Sequence, residues 1–256
     1  MPQEVILIKL GGSVVTHKER PMTMNKIAID QIFKSLLSVK VPIIFVHGGG
    51  SFGHYWSVKY DIHSKPDRYS SDGIAVVHES MISLNHKLVK SMIRFKLNPY
   101  SVSPFSIISN NKPLVKKIIE LASMTRDKII PVTYGDIVYR THHKYSILSG
   151  DELMTMISHV LKPKKVIFAV NVDGIFRDPQ GKQVIQTIGE KSLIKFSNVN
   201  FDITGGMKRK VREALKISLG GMDVHFVNGF KPERLLKLIE NKKTEGTVIK
   251  GKRSST

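Results

Sequence analysis

The sequence contains no cysteine and only one tryptophan, and it has 21 acidic residues against 40 lysines and arginines. The absence of cysteine excludes disulfide bonds, a thiolate nucleophile and cysteine-ligated zinc. No apolar run approaches the roughly 18 residues that a membrane-spanning helix needs, and the N-terminal segment lacks the pattern of a secretory signal. We therefore expect a cytoplasmic protein whose residues 1–256 form a single α/β domain.

The formal net charge of +19 has two interpretations. A basic surface can bind nucleic acid by releasing counterions from the phosphate backbone, and it can also attract small anionic substrates. The lysines are spread through the whole chain, and no nucleic-acid-binding motif is recognisable. This distribution favours a generally basic surface without nucleic acid as partner. A basic nucleic-acid-binding protein stays the alternative from a different functional class.

Short apolar runs alternate with longer amphipathic segments along the chain. Strands are expected at Val5–Lys9, Pro42–Val46, Ile129–Val132, Val166–Val170, Asp223–Val227 and Thr247–Ile249. Helices are expected near Asn25–Val39, Ile74–Phe95, Lys112–Ala122, Asp151–Leu161, Gly206–Leu219 and Pro232–Ile239. This alternation predicts a mostly parallel open sheet covered by helices on both faces, in three αβα layers. A hairpin is also expected around Tyr134-Gly135-Asp136.

Five loops between these elements contain glycine or acidic residues, and four of them adjoin lysines or a histidine. They are Leu10–Ser13, His47–His54, Ser149–Glu152, Asn171–Phe176 and Asp202–Lys210. Ligands of open α/β sheets bind beyond the carboxyl ends of the strands, and glycines allow backbone N–H groups to approach an anion there. Any one of these loops alone is best interpreted as a turn or a helix cap. Together they indicate a polyphosphate site.

Familiar nucleotide-binding signatures fit poorly. The second loop formally satisfies G-x-G-x-x-G, but no acidic residue closes a strand about 20 positions later, as the dinucleotide fingerprint requires. The Walker A pattern is absent, because Gly181-Lys182 is followed by Gln183. His142 and His143 lie in an expected loop, where a metal role is disfavoured. An ATP user without a P-loop is therefore indicated.

The order of the motifs resembles the amino-acid kinase superfamily over essentially the whole chain. The motifs are IKLGGS, VHGGGSFGH, PVTYGD, LSGDEL, VDGIF and DITGGMKRKV. The histidine that ends GGGSFGH makes the chain similar to the isopentenyl phosphate kinases within that superfamily. The resemblance implies the amino-acid kinase fold, transfer of the ATP γ-phosphoryl group to isopentenyl phosphate in isoprenoid biosynthesis, Mg²⁺ bound mainly by the ATP phosphates, and a homodimer. A kinase of the same fold acting on a phosphonate such as fosfomycin stays the nearest alternative.

The resemblance also implies roles for individual residues. An N-terminal lobe, 1–150, would bind the acceptor, and a C-terminal lobe, 151–256, would bind the nucleotide. ATP would be bound by Lys9, Gly11, Gly12, Ser13, Gly50, Asp151, Asp173, Gly174, Gly206 and Lys210. The acceptor would be bound by Gly49, His54 and Gly135. The catalytic residues would be Lys9, Lys18, His54, Asp151 and Lys210, with Lys18 on the transferring group and Asp151 orienting the two other lysines.

Three positions differ from what the family usually has. Asn171 replaces Asp or Thr, Tyr134 replaces histidine, and Arg140 stands where an acidic residue is common. These differences leave the shape of the pocket open more than the type of reaction.

The acceptor needs no general base, because a phosphate monoester has a second pKa of about 6 and is largely ionised at neutral pH. It needs relief from the repulsion between two polyanions, which lysines, a histidine and helix N-termini can supply. An isopentenyl tail also needs an apolar cavity. The stripe Ile74, Val77, Met81 and Leu84 is a candidate, although spacing alone favours core.

Overall fold

The computed structural model describes residues 4–62, 69–110, 112–140, 144–177, 183–189 and 205–252. Its strands are β1 (Ile6–Leu10), β2 (Ile43–His47), β3 (Pro99–Ser101), β4 (Ile108–Ser109), β5 (Lys112–Pro113), β6 (Ile130–Tyr134), β7 (Asp136–Arg140), β8 (Lys144–Leu148), β9 (Lys165–Val170), β10 (Thr187–Ile188), β11 (Val224–Asn228) and β12 (Thr247–Ile249). Its helices are α1 (Gly12–Val15), α2 (Lys26–Ser35), α3 (Gly50–Lys59), α4 (Ser71–Arg94), α5 (Val115–Met124), α6 (Gly150–Leu161), α7 (Gly205–Leu219) and α8 (Pro232–Ile239).

Eight strands form one sheet in the order β10-β12-β11-β9-β1-β2-β6-β3. Strand β1 lies in the middle and pairs in parallel with β2 and β9. The neighbouring pairs are parallel except for β11 with β12. The prediction of a mostly parallel open sheet is therefore confirmed, and the carboxyl ends of β1, β2, β6, β9 and β11 lie at one edge.

Side chains of the central strands alternate between two hydrophobic cores. On β1, Leu7 packs into the core under α5, α6 and α7, whereas Ile6 and Ile8 pack into the core under α1, α2, α4 and α8. All three are 3% exposed or less, because a parallel strand between two helical layers has no solvated face. The expected αβα sandwich is present. Within the described residues, no helix has the length and apolarity needed to span a membrane.

The hairpin expected around Tyr134-Gly135-Asp136 is wrong. Strand β6, which ends at Tyr134, is an interior strand that pairs in parallel with β2 and β3. Strand β7 instead pairs with β8 in a separate antiparallel ribbon, in which Asp136 faces Leu148. The apolar IIPV run was placed correctly as a strand, but its backbone hydrogen bonds are satisfied within the main sheet, so the chain turns away at Gly135.

Helix boundaries follow local chemistry. Helix α5 begins at Val115 and not at Lys112, because Lys112-Pro113 pairs with β4. Helix α6 begins after Ser149, whose hydroxyl accepts from Glu152 N at 3.2 Å while Glu152 accepts from Ser149 N at 2.9 Å. This is a complete capping box. It fixes the first turn of α6 at the carboxyl edge of the sheet.

Candidate active site

A buried carboxylate forms the centre of the site. Asp151 Oδ1 lies 3.0 Å from Lys9 Nζ, and Asp151 Oδ2 lies 3.7 Å from Lys210 Nζ. Arg209 Nε approaches the same Oδ2 atom at 3.3 Å. The residues come from β1, α6 and α7, which are far apart in the sequence. The structure thus brings together Lys9, Asp151 and Lys210, as expected, and adds Arg209.

The start of α6 explains where the carboxylate lies. Asp151 is in the first turn, directly after the Ser149 cap and Gly150. A negative charge in the first turn is stabilised by the helix dipole, and the capping box prevents this turn from fraying. Asp151 is therefore held by its own helix as well as by the three cations.

The cations outweigh the cost of burying Asp151. Burial raises the pKa of this carboxyl group. The positive charges of Lys9, Lys210 and Arg209 lower it by more, so the pKa lies below the ordinary value of 3.8. Asp151 is consequently ionised at neutral pH. Three cations around one anion leave this corner positive, which favours a polyanionic ligand.

For Lys210, in contrast, the effect of burial on the pKa is larger than the effect of the ion pair. Burial is the largest effect and the positive charge of Lys9 adds to it, so the pKa of Lys210 falls to about 8 although Asp151 raises it. The lysine therefore loses part of its charge slightly above neutral pH unless an anion binds. Phosphate oxygens would restore that charge.

The first two glycine loops touch each other beside this cluster. A Cβ atom on Gly12 would lie 2.4 Å from Gly50 N, and one on Gly48 would lie 2.9 Å from Gly12 N. Gly50 has a φ of +49°, a left-handed conformation that glycine adopts without strain. Thr16 fastens the two loops, because its hydroxyl donates to Gly12 O at 2.8 Å and accepts from Ser51 N at 2.9 Å. The backbone of both loops is thus brought close together at the carboxyl ends of β1 and β2.

Gly135 lies against the start of α6. A Cβ atom there would be 2.7 Å from Gly150 N, and one on Gly150 would be 3.2 Å from Lys9 Cε. Gly49 lies against α4, since a Cβ atom on Gly49 would be 2.9 Å from Met81 Sδ. Of the two glycines expected on the acceptor side, Gly135 therefore borders the start of α6 and Gly49 borders Met81 on α4.

A buried polar network underlies the second loop and was not predicted. The His47 ring stacks on Tyr134 with centroids 5.3 Å apart, and its Nε2 lies 3.2 Å from Asn85 Oδ1. Burial lowers the pKa of His47 to about 4 and raises that of Tyr134 to about 12, so both rings are neutral. The VHGGG motif contains His47, but the sequence offers no sign that Asn85 is its partner.

Several other expected residues make no ion pair to Asp151 within the described part of the chain. Lys18 is exposed in the segment between α1 and α2, and His54 is exposed on α3, one turn after Gly50. Gly11 lies against Ala169 O, since a Cβ atom would approach it to 2.9 Å, and Gly206 faces open space. Ser13 is half-buried on α1.

Asp173 belongs to a different cluster, at the carboxyl ends of β9 and β11. Its Oδ1 accepts from Asn228 Nδ2 at 2.9 Å, Lys231 Nζ at 3.1 Å and Arg234 Nη1 at 2.7 Å. These contacts hold its pKa below the ordinary value of 3.8, with the Asn228 hydrogen bond as the largest cause. The adjacent Gly174 is buried. A groove of about 1160 Å³ runs along α8 and β12, with Asp173 on its wall and neither Lys9 nor Lys210 in its lining.

The apolar stripe of α4 is divided between two environments. Val77 is buried in a small apolar cluster with Ile137, and Ile74 packs against this cluster. Leu84 is fully buried in the main core and is a core residue. Met81 packs on Gly49 and Gly53. The expected Asp202–Thr204 part of the last loop and the His142-His143 pair lie outside the described residues.

Comparisons with known proteins identify the family of the chain. The model of the amino acid kinase family matches residues 4–228. An isopentenyl phosphate kinase of Thermoplasma acidophilum is 32% identical over 254 residues, covering 96% of this chain and 100% of the relative. One from Methanothermobacter thermautotrophicus is 28% identical, covering 97% and 100%. A crystal structure of the T. acidophilum enzyme in a product complex superposes with a TM-score of 0.80 at 28% identity, covering 96% of this chain and 100% of that one.

Proposed function

The chain belongs to the amino acid kinase family and, within it, to the isopentenyl phosphate kinases, and from this we propose that it transfers the γ-phosphoryl group of ATP to isopentenyl phosphate. The product would be isopentenyl diphosphate. The observation that carries the proposal is the buried Asp151 with Lys9 and Lys210, placed where two glycine loops and the start of α6 meet. This corner offers cations and backbone N–H groups to two sets of phosphates.

In the proposed mechanism the enzyme works by positioning and charge stabilisation. The acceptor phosphate attacks the γ-phosphorus, the bond from that phosphorus to the bridging oxygen of ADP breaks, and no proton must be removed. Lys9 and Lys210 would neutralise charge on the transferring group and the leaving phosphate. Asp151 would keep both ammonium groups in place. Lys18 would reach the transferring group, and His54 would bind the acceptor phosphate.

Nucleotide and metal would arrive together. Within the described residues no group of three or more His, Asp and Glu side chains could hold a metal ion. Asp151 faces cations on both oxygens, so it is a poor Mg²⁺ ligand here. We therefore propose that Mg²⁺ binds to the ATP phosphates, which supply the oxygen ligands that this hard cation prefers.

The acceptor tail would lie against Ile74, Val77 and Ile137. These side chains form an apolar cluster separate from the two main cores. Ile137 of this cluster follows Gly135 by two residues in the chain. A phosphate near Gly49 and Gly135 would thus place a short apolar tail toward it.

We also propose that the protein forms a homodimer through the edge of its main sheet. Strand β3 is a terminal strand of the eight-stranded sheet, and Tyr100 on it and Phe105 just after it are exposed. Exposed aromatic rings beside an open strand edge favour pairing with another chain. Sedimentation of the unaltered protein and of Tyr100→Lys tests this, since a dimer at this edge requires the variant to dissociate more readily. A monomeric unaltered protein would contradict it.

The proposed activity is tested by adding ATP, Mg²⁺ and isopentenyl phosphate and measuring isopentenyl diphosphate and ADP. Equal amounts of both products are expected. Fosfomycin, replacing isopentenyl phosphate, tests the phosphonate alternative. Turnover of fosfomycin without turnover of isopentenyl phosphate would reverse the assignment. If neither acceptor gave a product, a kinase of this type would be refuted.

The role of His54 has its own test. His54→Ala should raise the KM for isopentenyl phosphate by about tenfold or more, since a charge-assisted hydrogen bond is worth about 1.5 to 3 kcal/mol. The KM for ATP should stay within about twofold. His86→Ala is the control, because His86 is an exposed histidine on α4. Equal losses for both substrates would contradict an acceptor role for His54.

A further inference from the structure

A second buried carboxylate lies outside the phosphate corner and is used by no step of the proposed reaction. The Asp136 side chain is 1% exposed, and its Oδ2 lies 2.8 Å from His78 Nδ1, whereas the His78 side chain is 46% exposed. Asp136 Oδ1 accepts from Ile137 N at 2.7 Å. The pair joins the first residue of β7 to the first half of α4.

Burial makes this carboxylate costly to keep. Burial is the largest effect on Asp136 and raises its pKa to about 6, while the charge of His78 and the hydrogen bond from Ile137 N oppose the rise. An ionised carboxyl group at such a site needs a partner, because an unpaired buried charge is strongly unfavourable. The position is therefore difficult to explain by packing alone, since an apolar residue would fit a buried strand end without this cost.

The location of His78 on α4 gives the pair a place in the acceptor site. Ile74, Val77, His78 and Met81 follow the spacing i, i+3, i+4, i+7, so they share one face of the helix. Met81, at one end of this face, packs on Gly49 and Gly53. Ile74 and Val77, at the other end, belong to the apolar cluster with Ile137.

His78 thus lies between the end of the α4 face that borders the glycine loop and the end that borders the apolar cluster. In the chain, its partner Asp136 lies on β7 between Gly135, which is expected on the acceptor side, and Ile137, which belongs to the apolar cluster. The bond between Asp136 and His78 therefore joins the two walls of the proposed acceptor site at the boundary between phosphate and tail.

We propose that His78 and Asp136 are a positioning pair that holds α4 against β7 and thereby sets which acceptor tails fit. The inference rests on the proposed function and deepens it, because it assigns tail discrimination to two polar residues that do not touch the phosphates. Loss of the pair would let α4 move away from β7. The apolar contacts on the tail would loosen, whereas the nucleotide corner around Asp151 would stay as it is.

The experiment compares isopentenyl phosphate, as acceptor, with ethyl phosphate, an inhibitor that has a shorter tail. For the unaltered protein, His78→Ala and Asp136→Asn, one measures kcat and KM for isopentenyl phosphate, the inhibition constant of ethyl phosphate against it, and the KM for ATP. We expect the KM for isopentenyl phosphate to rise about 10- to 100-fold in both variants, the range in which small misplacements act. Because ethyl phosphate reaches little of the apolar cluster, its inhibition constant should change less than about threefold, and the KM for ATP less than about twofold.

Two further variants separate positioning from general structural damage. His78→Asn keeps an N–H donor near the position of Nδ1, and it should recover at least about a third of the lost discrimination. His86→Ala removes an exposed histidine from the same helix and should change none of these quantities. Thermal unfolding identifies a variant that fails to fold, in which case Asp136→Asn, of nearly the same shape, carries the test.

The outcomes keep the two proposals apart. If the unaltered protein converts isopentenyl phosphate, but in both variants the KM for isopentenyl phosphate and the inhibition constant of ethyl phosphate rise equally, or the KM for ATP rises, the positioning role is wrong and the proposed function stands. The role is also wrong if the ratio of the KM for isopentenyl phosphate to the inhibition constant of ethyl phosphate is unchanged in both variants. If the unaltered protein converts no isopentenyl phosphate, the proposed function fails and the inference fails with it.

Discussion

Asp151 and Asp173 are two carboxylates at the carboxyl edge of the same sheet. Each contacts several cations, and the two differ mainly in their exposure to water. Asp151 contacts Lys9, Lys210 and Arg209, and its side chain is 2% exposed. Asp173 contacts Lys231 and Arg234, and its side chain is 39% exposed. Distances in the two clusters are similar, from 2.7 to 3.7 Å.

The difference shows that burial, and not the number of ion pairs, decides what such a cluster can do. Charges in a buried cluster are weakly screened by water, so each charge interacts strongly with the others. In the exposed cluster water and salt weaken the same contacts, and their contribution to stability is about 0 to 1 kcal/mol. We therefore expect Asp151 to control both turnover and folding, and Asp173 to connect two loops with little effect on either.

Asp151→Asn should have the largest effect. The amide has nearly the same shape but no charge, so Lys9 and Lys210 lose their common counterion. We expect kcat to fall about 100- to 1000-fold, comparable with the loss of one strong electrostatic contact in other enzymes. The free energy of unfolding should fall by about 3 to 5 kcal/mol, the usual cost of breaking a buried pair. Product formation and denaturant titration measure the two effects.

The pH dependence of that stability difference is the control. The folded-state pKa of Asp151 is below its ordinary value of 3.8, so the stabilisation by its charge is complete above pH 3.8. It is lost as the pH falls through the lower folded-state pKa. A difference between the two proteins that does not shrink in acid would indicate a packing defect and not a lost charge.

Lys210→Arg should change the pH profile more than the rate near neutrality. Because the pKa of Lys210 is about 8 in the folded protein, kcat/KM for ATP should fall up to about tenfold per pH unit above 8. Arginine stays protonated, so the fall should move to higher pH in the variant. Steady-state kinetics from pH 6.5 to 9.5 measure this. An identical profile in both proteins would assign the fall to another group.

Stability should move in the opposite direction in the same pH range. An unfolded Lys210 keeps its proton up to its ordinary pKa of 10.5, whereas the folded protein loses it near pH 8. Between these values the unfolded state binds more protons, so the contribution of this residue to stability rises with pH. Opposite trends of activity and stability would separate Lys210 from a general alkaline loss of structure.

The sequence predicted what depends on local pattern. Apolar runs located the six strands that were expected, because parallel strands buried on both faces have no polar alternation to obscure them. The Ser149 cap and the start of α6 followed from the SGDEL motif. The convergence of Lys9, Asp151 and Lys210 came from the resemblance to a family and was then observed as an ion-pair cluster.

What the sequence left unpredicted depends on long-range pairing. Strands β3 and β10 are only three and two residues long, too short for a periodic signal. Tyr134-Gly135-Asp136 was interpreted as a hairpin because a turn motif shows where a chain bends but not which strand it pairs with next. The partners His78 and Asp136 are 58 residues apart, and neither side chain alone indicates the other.

Arg209→Gln should have an intermediate effect. Its side chain is 56% exposed and it contacts only one of the Asp151 oxygens, so solvent screens the contact. Lys9 and Lys210 remain in place. We expect kcat/KM for ATP to fall about 3- to 10-fold, with a change in stability below about 1 kcal/mol. Arg212→Gln, exposed on α7, is the control. A loss as large as that of Asp151→Asn would mean that exposure does not rank these contacts.

Asp173→Asn should have the smallest effect, although Asp173 was expected to bind nucleotide. Arg234 would keep its second partner, Glu245, and Asn228 would still lie beside the amide. We expect the free energy of unfolding to change by less than about 1 kcal/mol and the KM for ATP by less than about threefold. Both small changes should disappear in 1 M salt, where the screening length is about 3 Å, because exposed ion pairs are screened and buried ones are not. A loss that persists in high salt would place Asp173 among the buried clusters and remove the distinction drawn between the two carboxylates.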